Sequence, residues 1–206
     1  MSNKKGDSMK AFHNKQSVKD KYIARVKAHA KADEIIKGSY WEDGKGCAVG
    51  CTIEGSSHMR YEIELGIPVG LAYLEDTIFE GMTNSKAMKF PLKFLEAIPV
   101  GADLSLVTAK FIVWQFEDKK HGLKNIQELK DNKEVYGFCK EVVALYKRKI
   151  AGDTPTKNEF SLLQKKIEEA RAMPATLAGA LAWAQQYDIL ATQLLKLLKD
   201  APVKNK

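Results

Sequence analysis

Cys47 and Cys51 stand in the run Gly44-Lys45-Gly46-Cys47-Ala48-Val49-Gly50-Cys51-Thr52, and His58 follows with Glu54 between them. Thiolate, imidazole and carboxylate are the donors that zinc accepts, and a short Cys-to-Cys spacing is how many structural zinc sites begin. Such sites usually close with a second short-spaced pair. The third cysteine, Cys139, instead lies among Phe138, Val142 and Val143, where it reads as a small core residue. We therefore expect no bound metal and no cofactor, with Cys47 and Cys51 as small half-buried residues of a tight hairpin. A metal module on Cys47, Cys51 and His58 is the alternative.

The same stretch admits thiol catalysis, which needs a Cys, a His base and an orienting carboxylate or amide. Cys47 or Cys51 could be served by His58 or His29, with Asp33 or Glu54 orienting the ring. His29 and Asp33 are a helical turn apart, so we expect a core-facing histidine satisfied by that carboxylate. His13 and His121 sit in polar sequence and read as solvated. A phosphate loop is excluded, because Gly50 is followed by Cys51 and Lys45 precedes the glycines. Tyr40, Trp41, Tyr61 and Tyr73 bracket the loop and could wall an organic ligand over a glycine floor. The acidic group Glu62, Glu64, Glu75, Asp76 and Glu80 lacks calcium-loop spacing, so solvation or pairing with the basic first helix is expected. The candidate ligand-binding residues are Tyr40, Trp41, Lys45, Cys47, Cys51 and His58.

These residues need elements to position them. Val18, Tyr22, Val26, His29 and Ile36 recur at three-to-four spacing between Ser17 and a stop at Gly38, predicting a first long helix. Four glycines and an Asp43-Gly44 turn signal predict a loop or short β-hairpin over residues 39–57. Short helices follow over 58–65, 69–81 and 85–97, and Asp103 opens a helix to about Phe116 that is apolar on most faces and should be buried. A long amphipathic helix is expected over 124–150, another over 158–173, and a last one over 175–200 that begins with small residues, Ala175 to Ala184. The fold class is mainly α: a single-domain bundle of about seven helices over 17–200, with one small hairpin, a flexible segment 1–16 and a flexible tail 201–206.

The net charge of +7 invites nucleic acid as a partner. Its distribution argues against that, since residues 1–37 carry ten basic and four acidic side chains whereas residues 38–80 carry two and eight. Consecutive blocks of opposite sign can fold against each other. No apolar run is long enough to cross a bilayer, which excludes a membrane span. The first seven residues lack a signal peptide's apolar core and an odd cysteine count closes no disulfide framework, so a reducing, cytoplasmic setting is expected. Leu190, Leu194, Leu195, Leu197 and Leu198 cover more than one face of the last helix, which predicts a homodimer through it.

The stretch from Tyr40 to Cys51, with His58, Glu64-Leu65-Gly66-Ile67-Pro68, Leu74 to Gly81 and Gly101-Ala102-Asp103-Leu104-Ser105, resembles a bacterial and phage protein family to which no activity is attached. That resemblance covers about a third of the chain and directs attention to the loop without implying a reaction. The expected function is a non-enzymatic helical interaction or regulatory protein, its Gly/Cys-rich loop serving as the surface for a protein or small-molecule partner. A small Cys/His-dependent enzyme or metal module is the alternative.

Overall fold

The computed structural model describes residues 9–153, 155–162 and 187–203. The small-residue stretch Ala175 to Ala184 and most of the helix expected over 158–173 lie outside them. The protein is mainly α-helical with one two-stranded antiparallel hairpin, as the periodicities predict. It divides into two compact units, Met1–Thr108 with Tyr187–Lys206, and Ala109–Gln186.

The first unit opens with α1, Gln16–Lys31, which buries Tyr22 and Val26 one turn apart. This helix stops before Gly38. Asp33 takes a left-handed turn (φ 54°), and residues 34–36 leave the helix to pair with the hairpin. Gly46 N–H donates to Glu34 O at 3.0 Å and Ile36 N–H to Gly46 O at 2.8 Å, a long-range pairing that competes successfully for backbone groups the helix would otherwise use. The hairpin is β1, Trp41–Glu42, and β2, Lys45–Gly46, paired Trp41 to Gly46 and Glu42 to Lys45. Asp43 and Gly44 both have positive φ, the conformation a two-residue primed turn demands.

The cysteines are not part of that hairpin. Cys47 caps a short helix, α2, Ala48–Ile53, every residue of which is buried. A Cβ on Gly50 or on Gly46 would overlap the Tyr40 carbonyl oxygen, so glycine at both positions lets the hairpin backbone lie directly on α2. After α2 the chain forms a π-helical turn, Tyr61–Leu65, rather than the α-helix expected over 58–65. Then comes α3, Val69–Gly81, where the pattern placed it. It buries Leu71, Ala72, Glu75, Ile78 and Phe79, and Glu62 Oε1 accepts the Val69 N–H at its start (2.9 Å).

Two helices, α4 (Asn84–Ala87) and α5 (Phe90–Ala97), replace the single one expected over 85–97. α5 packs against α1 and against the last helix, and α2 packs against α1 and α3. α6, Val107–Glu117, starts four residues after Asp103, because that carboxylate is turned onto Ser105 N–H (3.1 Å). It buries Val107, Ala109, Phe111 and Phe116 while residues 112–115 are only half-buried, so it is not apolar-enclosed on all faces. The division between the units falls inside it.

In the second unit, α7 (Gln127–Asp131) and α8 (Lys133–Ile150) replace the long helix expected over 124–150. Asn132 separates them, its side chain accepting the Val135 N–H at 3.1 Å. Phe116, Leu129, Val135 and Val143 form the core here, and Cys139 packs against it as expected. A further helical stretch runs over 157–162.

The last described helix is α9, Tyr187–Lys199, in the first unit. Leu190, Leu194 and Leu198 are buried within this chain, whereas Leu195 and Leu197 are half-buried. Parts of the segments expected to be loose are docked. Ala11 and Phe12 are fully buried, Ala11 N–H donates to Ala102 O at 3.0 Å, and Asp103 N–H donates to Pro202 O at 2.9 Å. Among the described residues no helix is long and apolar enough to cross a membrane.

Candidate functional site

Tyr73, Asp76 and Glu80 are spaced i, i+3 and i+7 on α3 and so share one face of it, away from the stripe that enters the core. Opposite stands Cys47 at the start of α2. Its backbone N–H donates to Ser39 O (2.8 Å) and its Sγ accepts the Gly50 N–H (3.5 Å), which together fix the thiol at 1% exposure. Between them lies a pocket of about 310 Å³ lined by Gly38, Ser39, Tyr40, Cys47, Asp76 and Glu80. The donor atoms of Cys47, Asp76 and Glu80 lie within 4.8 Å of one another.

His58 completes the cluster from the segment that joins α2 to the π turn. Its ring stacks on Tyr73 (centroids 4.2 Å apart, planes 13°) and meets Tyr40 edge-on (5.4 Å, 86°). Only 5% exposed, it places Nε2 3.4 Å from Asp76 Oδ2, close enough to attract but not aligned as a hydrogen bond. His58 Nε2 and Asp76 Oδ1 are both buried without a hydrogen-bond partner among the described residues. Glu80 is better held. Gly38 N–H donates to its two carboxylate oxygens at 3.1 and 3.2 Å, and Lys37 Nζ caps the C-terminal end of α3 through the carbonyls of Glu80 (2.9 Å) and Met82.

Burial pushes the Cys47 thiol well above its ordinary value, and its hydrogen bond to the Asp76 carboxylate adds to this. The Asp76 charge is also the first cause raising Tyr40. Thiol catalysis requires an imidazole facing the thiol. Here the Asp76 carboxylate takes the thiol proton's hydrogen bond and itself faces the imidazole, so the order is thiol, carboxylate, imidazole. Behind the pocket, Glu75 is fully buried and accepts the Tyr61 hydroxyl at 2.7 Å.

Of the candidate residues, the structure brings Tyr40, Cys47 and His58 together and sends the rest elsewhere. Trp41 faces the other way and meets His29 edge-on at 5.4 Å. Lys45 is exposed on β2. Cys51 is buried, with its S–H donated to Gly46 O (3.3 Å) and Glu34 O (3.5 Å) and its pKa pushed up to about 12 by burial. His29 pairs with Glu34 (Nδ1 to Oε2 2.6 Å) rather than Asp33, because α1 ends before Asp33 could return to its face. The acidic group divides similarly. Glu64 accepts from Tyr22 and Arg60, Glu62 caps α3, Glu75 is buried, and Asp76 and Glu80, expected to be solvated or paired with the first helix, line the pocket. The signal for those two was their i, i+4 spacing below Tyr73 on the outer face of α3.

Compared with known protein families, curated proteins and solved structures, the chain matches none.

Proposed function

We propose that this protein is a binding protein for a small cation, taken up in the pocket between Tyr40, Cys47 and the outer face of α3. One observation carries this. The carboxylates of Asp76 and Glu80 and the Cys47 thiol converge within 4.8 Å on a pocket whose lining, among the described residues, contains no basic side chain. Two carboxylates at such close range repel each other, and a bound positive charge relieves that repulsion. Tyr40 beside the opening offers a ring face to a cation as well.

Thermal denaturation of the full chain with chelator, then with Zn²⁺, Mg²⁺, guanidinium, spermidine or phosphate, tests this reading. Binding to the native state raises the midpoint, so at least one cation and not phosphate should stabilise the protein. Asp76→Asn and Glu80→Gln should each remove the shift. Equal response to cations and phosphate, or a shift that survives both substitutions, would overturn it.

A further inference from the structure

Resting on that cation-binding reading, we infer that the cation is a divalent transition metal of the zinc type, held by Cys47 Sγ and the carboxylates of Asp76 and Glu80, with His58 behind Asp76 as its orienting group. The donor set selects it. Magnesium and calcium take six or more oxygens, whereas a thiolate beside two carboxylates is a mixture that zinc and its neighbours bind.

The second, independent observation is the orphaned polar pair. His58 is about nineteen-twentieths buried, yet among the described residues its Nε2 has no hydrogen-bond partner and lies 3.4 Å from Asp76 Oδ2, while Asp76 Oδ1 is likewise unpartnered. A buried polar atom left unsatisfied is unfavourable, so the unpartnered Asp76 Oδ1 beside the Cys47 and Glu80 donors calls for a partner there, and His58 faces Asp76 as the group behind a metal ligand does. An ammonium or guanidinium group would engage the carboxylates but gain little from a buried sulfur. A metal ion engages all three donors.

Geometry and surroundings agree. Donors about 2.0 to 2.3 Å from zinc stand roughly 3.3 to 3.8 Å apart along a tetrahedral edge. Cys47, Asp76 and Glu80, within 4.8 Å of one another, therefore need to close by only about 1 Å, which side-chain rotation supplies. Ligands are oriented by the groups behind them. Gly38 N–H bonds hold Glu80, the Gly50 N–H holds Cys47 Sγ, and Tyr73 and Tyr40 fix the plane of His58.

The test is titration of chelator-treated full-length protein with Co²⁺, followed by displacement with Zn²⁺. One equivalent should bind and develop the near-ultraviolet thiolate-to-cobalt charge-transfer band, and excess Mg²⁺ or Ca²⁺ should not reverse it. The band should vanish in Cys47→Ser and persist in Cys51→Ser and Cys139→Ser, which isolates the contributing thiol. His58→Gln should weaken binding at least about tenfold with circular dichroism unchanged. A folded wild-type protein that gives no band, or a band that survives Cys47→Ser, overturns the inference, and the wild-type arm decides even if a variant fails to fold. Stabilisation by guanidinium or spermidine without cobalt uptake would sink the metal and leave the cation pocket standing. Uptake of neither would sink both.

Discussion

Replacing Glu75 with Gln should make the protein more stable at neutral pH and change the pH dependence of its folding. Glu75 has no solvent exposure and lies on the core stripe of α3 with Leu71, Ala72, Ile78 and Phe79. One carboxylate oxygen accepts the Tyr61 hydroxyl at 2.7 Å, and the other has no partner among the described residues. Burial is the first cause that holds its pKa well above the ordinary 4.5, with the Asp76 charge adding and the Tyr61 hydrogen bond working against both. The native state therefore keeps a proton that the unfolded chain releases. For an acid whose folded pKa is raised, full stability is present below the unfolded value and is lost as pH climbs to the folded one, by up to about tenfold in the folding equilibrium per pH unit. Gln carries no such proton. Its carbonyl can still accept from Tyr61, so near pH 4.5 the variant should lie within about 1 kcal/mol of wild type, the worth of one hydrogen bond. Above that pH the variant should overtake it progressively. Urea unfolding in chelator at pH values from about 4.5 to 8, with equal m-values as the control, reads the effect directly. Parallel stability curves for the two proteins, or a variant weaker at every pH, would refute a neutral buried Glu75.

Gly50→Ala should lower stability by about 1 to 3 kcal/mol or more, because its Cβ has no space against the Tyr40 carbonyl and must force the hairpin off α2. Thermal denaturation checks this, and cobalt uptake should fall with it, since Cys47 sits at the same junction. Asn132→Ala should cost about 1 kcal/mol through loss of the 3.1 Å cap on Val135 N–H, measured by urea unfolding, whereas Asn132→Ser should recover most of it.

How far the fold is legible in the sequence depends on how local each cause is. The Asp43-Gly44 turn and the bounds of α3 follow from neighbours a few residues away, and both stand where the pattern puts them. The end of α1 does not, because Ile36 and Glu34 are drawn out of the helix by Gly46, a partner ten or more positions along the chain. Helix α2 has six residues, too few to show a period of 3.6, and Gly50 within it reads as a breaker until its contact with Tyr40 is known. The break at Asn132 falls in the polar run Lys130 to Glu134, which the solvent-facing turn of one continuous helix would also tolerate, so the apolar positions on either side read as a single helix.

The site divides along the same line. Tyr40, Cys47 and His58 are found by chemistry alone, because thiols, imidazoles and rings are scarce and lie close together here. The adjacent rings mislead for a simple reason: neighbouring residues in extended backbone point to opposite sides, so Tyr40 and Trp41 cannot both face one pocket. Trp41 accordingly meets His29 while Tyr40 meets His58. Cys51 misleads differently, since Cys47 caps α2 from outside its first turn and the two thiols therefore do not project along one helical face. Asp76 and Glu80 are visible as acids but not as lining of a pocket, because an acid on the outer face of a helix is ordinarily solvated. What makes them different is that α2, itself invisible to periodicity, packs against α3 and carries the Cys47 thiol to them. The least local element of the unit thus decides the chemistry of its most local helix.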